Sequence, residues 1–209
     1  MRSREDPATF TPMGRFSGWT LTWLVTSLLL GLSAAGIAIL GAGEEGERFV
    51  IRWTGRASTV LFALSFSASA ALRFWRSGAT AWLRRNRRYL GVSFATSQTI
   101  HLLALAALAS ASSGFRSSVD MVTLIAGGGA YVFTFAMALT SSDAAVRRMG
   151  VAWHRLHRVG AWWIYAVLFF TVVPPIVTGP VHFAVGVPIV VALALRIAVR
   201  LRFRAEVAA

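Results

Sequence analysis

Cysteine and lysine are absent from the 209-residue chain, and Asp and Glu together number eight. The lack of cysteine excludes disulfides, thiolate metal ligands, iron–sulfur clusters and covalent haem attachment through thioethers. No acid falls inside an apolar run. That excludes, at membrane depth, a carboxylate metal site, an Asp/Glu proton relay, paired-carboxylate catalysis and a Ser-His-Asp triad. A small transporter is disfavoured on the same ground, and because the two halves carry no matching pair of broken helices.

What is present is apolar residue and arginine. The chain is 56% hydrophobic, with a mean hydropathy of +0.63, too apolar for an ordinary soluble domain. All 21 basic residues are arginine and the formal net charge is +13. Such a charge can signal nucleic acid binding. Here the arginines punctuate long apolar runs, which favours bilayer orientation and predicts no nucleic-acid partner.

Six runs are long enough to span a bilayer: 18–40, 49–75, 89–111, 121–140, a fifth from about 152 that fades at Pro174 and Pro175, and 181–199. The sequence therefore predicts an all-α, polytopic six-transmembrane-helix bundle over 17–202. Cytoplasmic tails are expected at 1–16 and 203–209. The first run exceeds the 7–15 apolar residues of a signal peptide, so an uncleaved anchor is expected. With both termini inside, 17 arginines fall on the inner side. The outer side holds Arg48, Arg52, Arg56 and Arg116 with Glu44, Glu45, Glu47 and Asp120. This asymmetry predicts an N-in, C-in topology. Trp19, Trp53, Trp75, Trp82 and Trp153 fall near the expected interfaces, as aromatic belts do.

Imidazoles are the strong ligands left within the membrane. His101 lies twelve residues past Tyr89, roughly 18 Å into the bilayer if the run is helical. An ionisable group at that depth suggests a functional site. His154 and His157 share one face of the fifth span, with His157 roughly 8 Å inside by the same rise. His182 opens the sixth span. Two imidazoles from different helices can clamp a haem iron, with the bundle burying the porphyrin. The plainer readings are an interhelical hydrogen bond for His101, an interfacial role for His154, helix packing for Gly127–Gly129, and outward snorkelling for Arg52 and Arg56.

Four motifs carry a resemblance: Thr54–Arg56 (TGR), Arg87–His101 (RRYLG…IH), Leu139–Gly150 (LTSSDAAVRRMG) and Trp153–His157 (W-x-x-LH). In this order the chain resembles the ferric-reductase-like transmembrane family, and within it the haem-binding membrane subunits of bacterial methionine-sulfoxide reductase systems. The resemblance implies a multi-pass protein of the bacterial cytoplasmic membrane that binds haem b and transfers electrons. Electrons would come from a separate cytosolic flavin reductase or quinol and pass to an extracytoplasmic acceptor. It also implies a quinone or FMN as further cofactors. His101 and His157 would be the iron ligands, with Arg56, Arg88 and Arg158 at the cofactor. Phe170 stands where relatives carry a further histidine. One haem is therefore expected, and a haem-less scaffold or partner-binding protein of the same descent is the alternative.

Overall fold

The structure, a computed structural model, describes residues 16–208. The expected N-terminal tail lies almost wholly outside them. Eight helices follow one another: α1 (Trp19–Leu40), α2 (Glu44–Phe74), α3 (Gly78–Ala111), α4 (Ser113–Ser118), α5 (Met121–Leu139), α6 (Asp143–Met149), α7 (Val151–Val172) and α8 (Pro180–Ala208). A 3-10 turn (Pro174–Thr178) joins α7 to α8, and no strand occurs among the described residues. Six of the elements are long and apolar enough to cross a membrane. The protein is an all-α, multi-pass membrane bundle.

Helix ends differ from the apolar runs in ways that local chemistry explains. The arginine-bearing stretch between the second and third apolar runs is helical from Gly78 and makes the first three turns of α3. Ser77 Oγ accepts from Thr80 N at 3.2 Å and Thr80 Oγ1 accepts from Ser77 N at 3.0 Å, a reciprocal cap that starts the helix before the hydrocarbon does. The acidic stretch 44–48 likewise forms the first turn of α2, where carboxylates favour the positive helix end. The stretch between the third and fourth apolar runs contains α4, capped by Ser112, and the stretch between the fourth and fifth contains α6, capped by Ser142 Oγ on Ala145 N at 3.1 Å. At the far end α8 runs on through most of the expected C-terminal tail.

Helices α2 and α3 form the centre, antiparallel and in the most extensive contact, with α1 against both and α8 against α2. Their shared face is made of small residues. Thr54, Ser58, Ser93 and Ser97 are almost wholly buried, which lets the two backbones approach closely. Ser97 Oγ donates to the Thr54 carbonyl at 3.0 Å across this seam. Helices α5 and α7 pair beside it. An aromatic core joins the two halves: Phe66 stacks on Phe62 at 5.3 Å and on Tyr165 at 5.1 Å, and Phe62 packs on Phe94 at 5.4 Å.

Asn86, which the sequence did not single out, fastens α1 to α3. It is 2% exposed. Its Oδ1 accepts from Gly18 N at 2.8 Å and its Nδ2 donates to the Trp82 carbonyl at 3.0 Å. Trp82 Nε1 in turn donates to the Phe16 carbonyl at 3.0 Å. Asn86→Leu leaves the partly buried Gly18 N–H without its partner and should cost about 1 kcal/mol. A lower thermal unfolding midpoint in detergent is the expected outcome, and an unchanged midpoint would remove this tie.

Candidate functional site

The four sequence motifs assemble in two places. In the first, the TGR segment of α2 meets His101 of α3. The Thr54 hydroxyl lies 3.0 Å from His101 Nδ1 and 2.6 Å from the Val50 carbonyl. A hydroxyl has one proton. With that proton directed to Val50, Thr54 can accept from an Nδ1–H, the tautomer that leaves the Nε2 lone pair of His101 free. A Cβ on Gly55 would stand 3.3 Å from His101 Cε1, so that glycine makes room for the ring. Arg56 turns away and lays its guanidinium 4.9 Å from the centre of the Trp53 ring.

In the second place, the Leu139–Gly150 segment meets the W-x-x-LH segment of α7. Gly150 turns the chain between α6 and α7 with φ +51°, a conformation that favours glycine. That turn brings Trp153 and His157 against the end of α5. Trp153 Nε1 donates to the Thr140 carbonyl at 2.9 Å. Its ring stacks on His157 with centroids 3.9 Å apart. The Thr140 hydroxyl donates to the Ala136 carbonyl at 2.7 Å and lies 3.1 Å from His157 Nε2. By the same proton count Thr140 accepts from Nε2–H, and the lone pair of His157 is on Nδ1. Each imidazole is thus oriented by a threonine whose own proton is spent on a helix carbonyl, a partner that fixes a ligand's tautomer.

Beside His157 opens a cavity of about 500 Å3 between α2, α3, α5, α7 and α8. Its apolar wall includes Phe62, Phe94, Met137, Trp162 and Ile164. Its polar end carries Arg84, Arg85, Arg87, Arg88, Arg158 and Arg196, with Asp143 the one carboxylate among the lining residues. Arg88 Nη1 reaches Asp143 Oδ1 at 3.2 Å, an exposed pair on the carboxylate side. Arg88 Nε is buried and has no partner, a donor that a ligand's anionic oxygen would satisfy.

Of the expected site residues, His157, Arg88 and Arg158 border this cavity, and His101 and Arg56 do not. Phe94 is the α3 residue of the cavity wall nearest in sequence to His101, which lies seven residues beyond it, about 10 Å along a helix. His154 is exposed, with Nδ1 3.1 Å from the Gly150 carbonyl, and His182 is exposed, with Nδ1 3.1 Å from Thr178 Oγ1. Phe170 is 75% exposed. Among the described residues no three His, Cys, Asp or Glu side chains converge in a way that could hold a metal ion. Gly127 and Gly128 face open space, whereas a Cβ on Gly129 would stand 2.9 Å from Trp163 Nε1, so that glycine serves helix packing. The threonine partners of both histidines and the orphan Arg88 Nε were not legible in the sequence, although Thr54 and Thr140 sit inside the quoted motifs.

Fold and site together define a six-span membrane protein with an arginine-lined pocket and two threonine-oriented imidazoles. Its sequence is similar to that of the protein-methionine-sulfoxide reductase heme-binding subunit MsrQ of Yersinia pseudotuberculosis serotype O:1b (strain IP 31758). The two are 26% identical over 194 residues, 88% of this chain and 84% of that protein. MsrQ of Yersinia pestis (strain Pestoides F) is also 26% identical, over 88% of this chain and 82% of its own length. No protein-family model and no solved structure matches the chain.

Proposed function

We propose that this protein is a haem-binding, electron-transferring subunit of the bacterial cytoplasmic membrane. The single observation that carries the reading is the cavity beside His157, where an imidazole with a defined lone pair, an apolar wall and an unpartnered buried Arg88 Nε occur together. Similarity to the haem-binding subunits supports it. The donor set fits a b-type haem: a ring nitrogen for iron, arginines for propionates, and no cysteine for covalent attachment. The haem would supply the one-electron chemistry. The chain's own residues do the rest. His157 would supply the ring nitrogen, held by Thr140 and the Trp153 stack. Arg88 and Arg158 meet carboxylates at the polar end, and Phe62, Phe94 and Ile164 exclude water.

His157 is the ligand that this geometry favours, because it borders the cavity and His101 does not. With both termini inside, the cavity faces the cytoplasm, which suits a separate cytosolic flavin reductase as donor, or a quinol at the same face, and an extracytoplasmic acceptor. The excess of arginine over carboxylate in the cavity also suits a flavin mononucleotide phosphate, which makes FMN the second ligand to test there. Purified from haem-replete cells, the protein should show a Soret band and, with dithionite, α and β bands. A colourless preparation would instead favour the haem-less scaffold.

A further inference from the structure

Behind the cavity, on the other side of the wall made by Phe66, Arg87 and Arg196, lies a second groove of about 230 Å3 between α2, α3 and α8. Four arginines line it, Arg73, Arg87, Arg196 and Arg200, and none of its lining residues is acidic. They form two tiers. Arg87 and Arg196 are half-buried at its floor, and Arg73 and Arg200 are exposed at its rim. Arg196 and Arg200 are four apart on α8 and so share one face. Arg87 Nη1 reaches Ser69 Oγ at 3.5 Å, and Arg196 lies 3.9 Å from the centre of the Phe66 ring. Neither neighbour neutralises a charge. Among the described residues the two ion pairs involve Arg48 and Arg88 and none of these four.

Cations partly withdrawn from water without an anion are costly. Guanidinium groups match phosphate oxygens in pairs. The groove opens at the arginine-rich end of the bundle, beside Trp75, which is 73% exposed, and Phe74, over which Arg202 lies at 5.2 Å. Exposed aromatics of this kind mark headgroup level in a membrane. Ala70 and Val199 supply an apolar flank for a glycerol backbone. Basic clefts between spans at the inner surface are suited to anionic lipid headgroups. We propose that this groove binds the phosphodiester headgroup of an anionic phospholipid, with Arg87 and Arg196 at the phosphate and Arg73 and Arg200 closing over it. The groove shares Phe66, Arg87 and Arg196 with the proposed haem cavity, whereas Arg73 and Arg200 line the groove alone.

Native mass spectrometry of the full chain from detergent, titrated with phosphatidylglycerol or phosphatidylcholine of the same acyl chains, tests this. The expected result is a saturable one-lipid adduct with phosphatidylglycerol only. The double variant R73Q/R200Q should bind it more weakly by on the order of thirtyfold, and R73K/R200K should retain it. The control R147Q/R148Q removes two exposed arginines outside the groove and should bind as the parent does. Equal binding of phosphatidylcholine would overturn the proposal, as would equal weakening in the control or undiminished binding by R73Q/R200Q. Inorganic phosphate at millimolar concentration should leave the adduct in place. If it displaces the lipid fully, the groove is a free-anion site and the lipid assignment is wrong.

Discussion

His157→Ala should yield protein that folds, inserts and carries little or no haem. The substitution removes the imidazole that borders the cavity and, with it, the ring on which Trp153 stacks at 3.9 Å. His157 is half-buried and outside the aromatic core, so the cost to folding is small relative to the loss of a ligand. His101→Ala is the informative partner. Its ring does not border the cavity, so the haem beside His157 should remain at parental stoichiometry, measured as the pyridine haemochrome per mole of protein. If His101→Ala also empties the protein, the shared-iron arrangement expected from the sequence is correct. If His157→Ala keeps its full Soret intensity, the cavity is not the haem site.

Gly160→Leu should separate α5 from α7. A Cβ at Gly160 would lie 2.7 Å from Met137 Sδ, 3.0 Å from Phe133 Cδ1 and 3.2 Å from Phe133 Cβ. The thioether can move aside, but Phe133 Cβ is fixed to the α5 backbone. A leucine therefore forces the helices apart, at about 1–3 kcal/mol for overpacking. Met137 and Ala161 are on the cavity wall, so the same displacement should loosen a bound haem. Gly127→Ala is the contrast. Its Cβ would meet nothing within 4 Å, and alanine gains up to about 1 kcal/mol in helix propensity. Thermal unfolding should place Gly160→Leu well below the parent and Gly127→Ala at or above it. Equal midpoints for all three would show that the α5–α7 contact is slack.

The sequence and the structure agree where the signal is one-dimensional. Apolar run length marks the six spans. Arginine placement marks the end of the bundle where Arg84–Arg88, Arg158 and Arg196 now gather around one cavity. The W-x-x-LH spacing put Trp153 and His157 near each other because residues four apart share a helix face. What stayed hidden depends on which face meets which neighbour. Of the three glycines at 127–129 only Gly129 packs against α7, at Trp163, whereas Gly160, an isolated glycine with no local signature, packs against Phe133 and Met137 of α5. The sequence put His101 and His157 at one cofactor; the structure seats His101 against Thr54 and Gly55 of α2, outside the lining of the pocket that His157 borders. The early start of α3 was hidden because its first three turns are too polar to read as a span, and Ser77 and Thr80 rather than hydropathy begin it.

The nitrogen bound to iron can be observed directly. Protein grown with 15N-histidine and purified oxidised should show, by pulsed electron paramagnetic resonance, a labelled nitrogen coupled to the ferric centre. That coupling should persist in His101→Ala and disappear in His157→Ala. A ferric signal without any labelled-histidine coupling, or one unchanged in His157→Ala, would contradict haem ligation at this cavity.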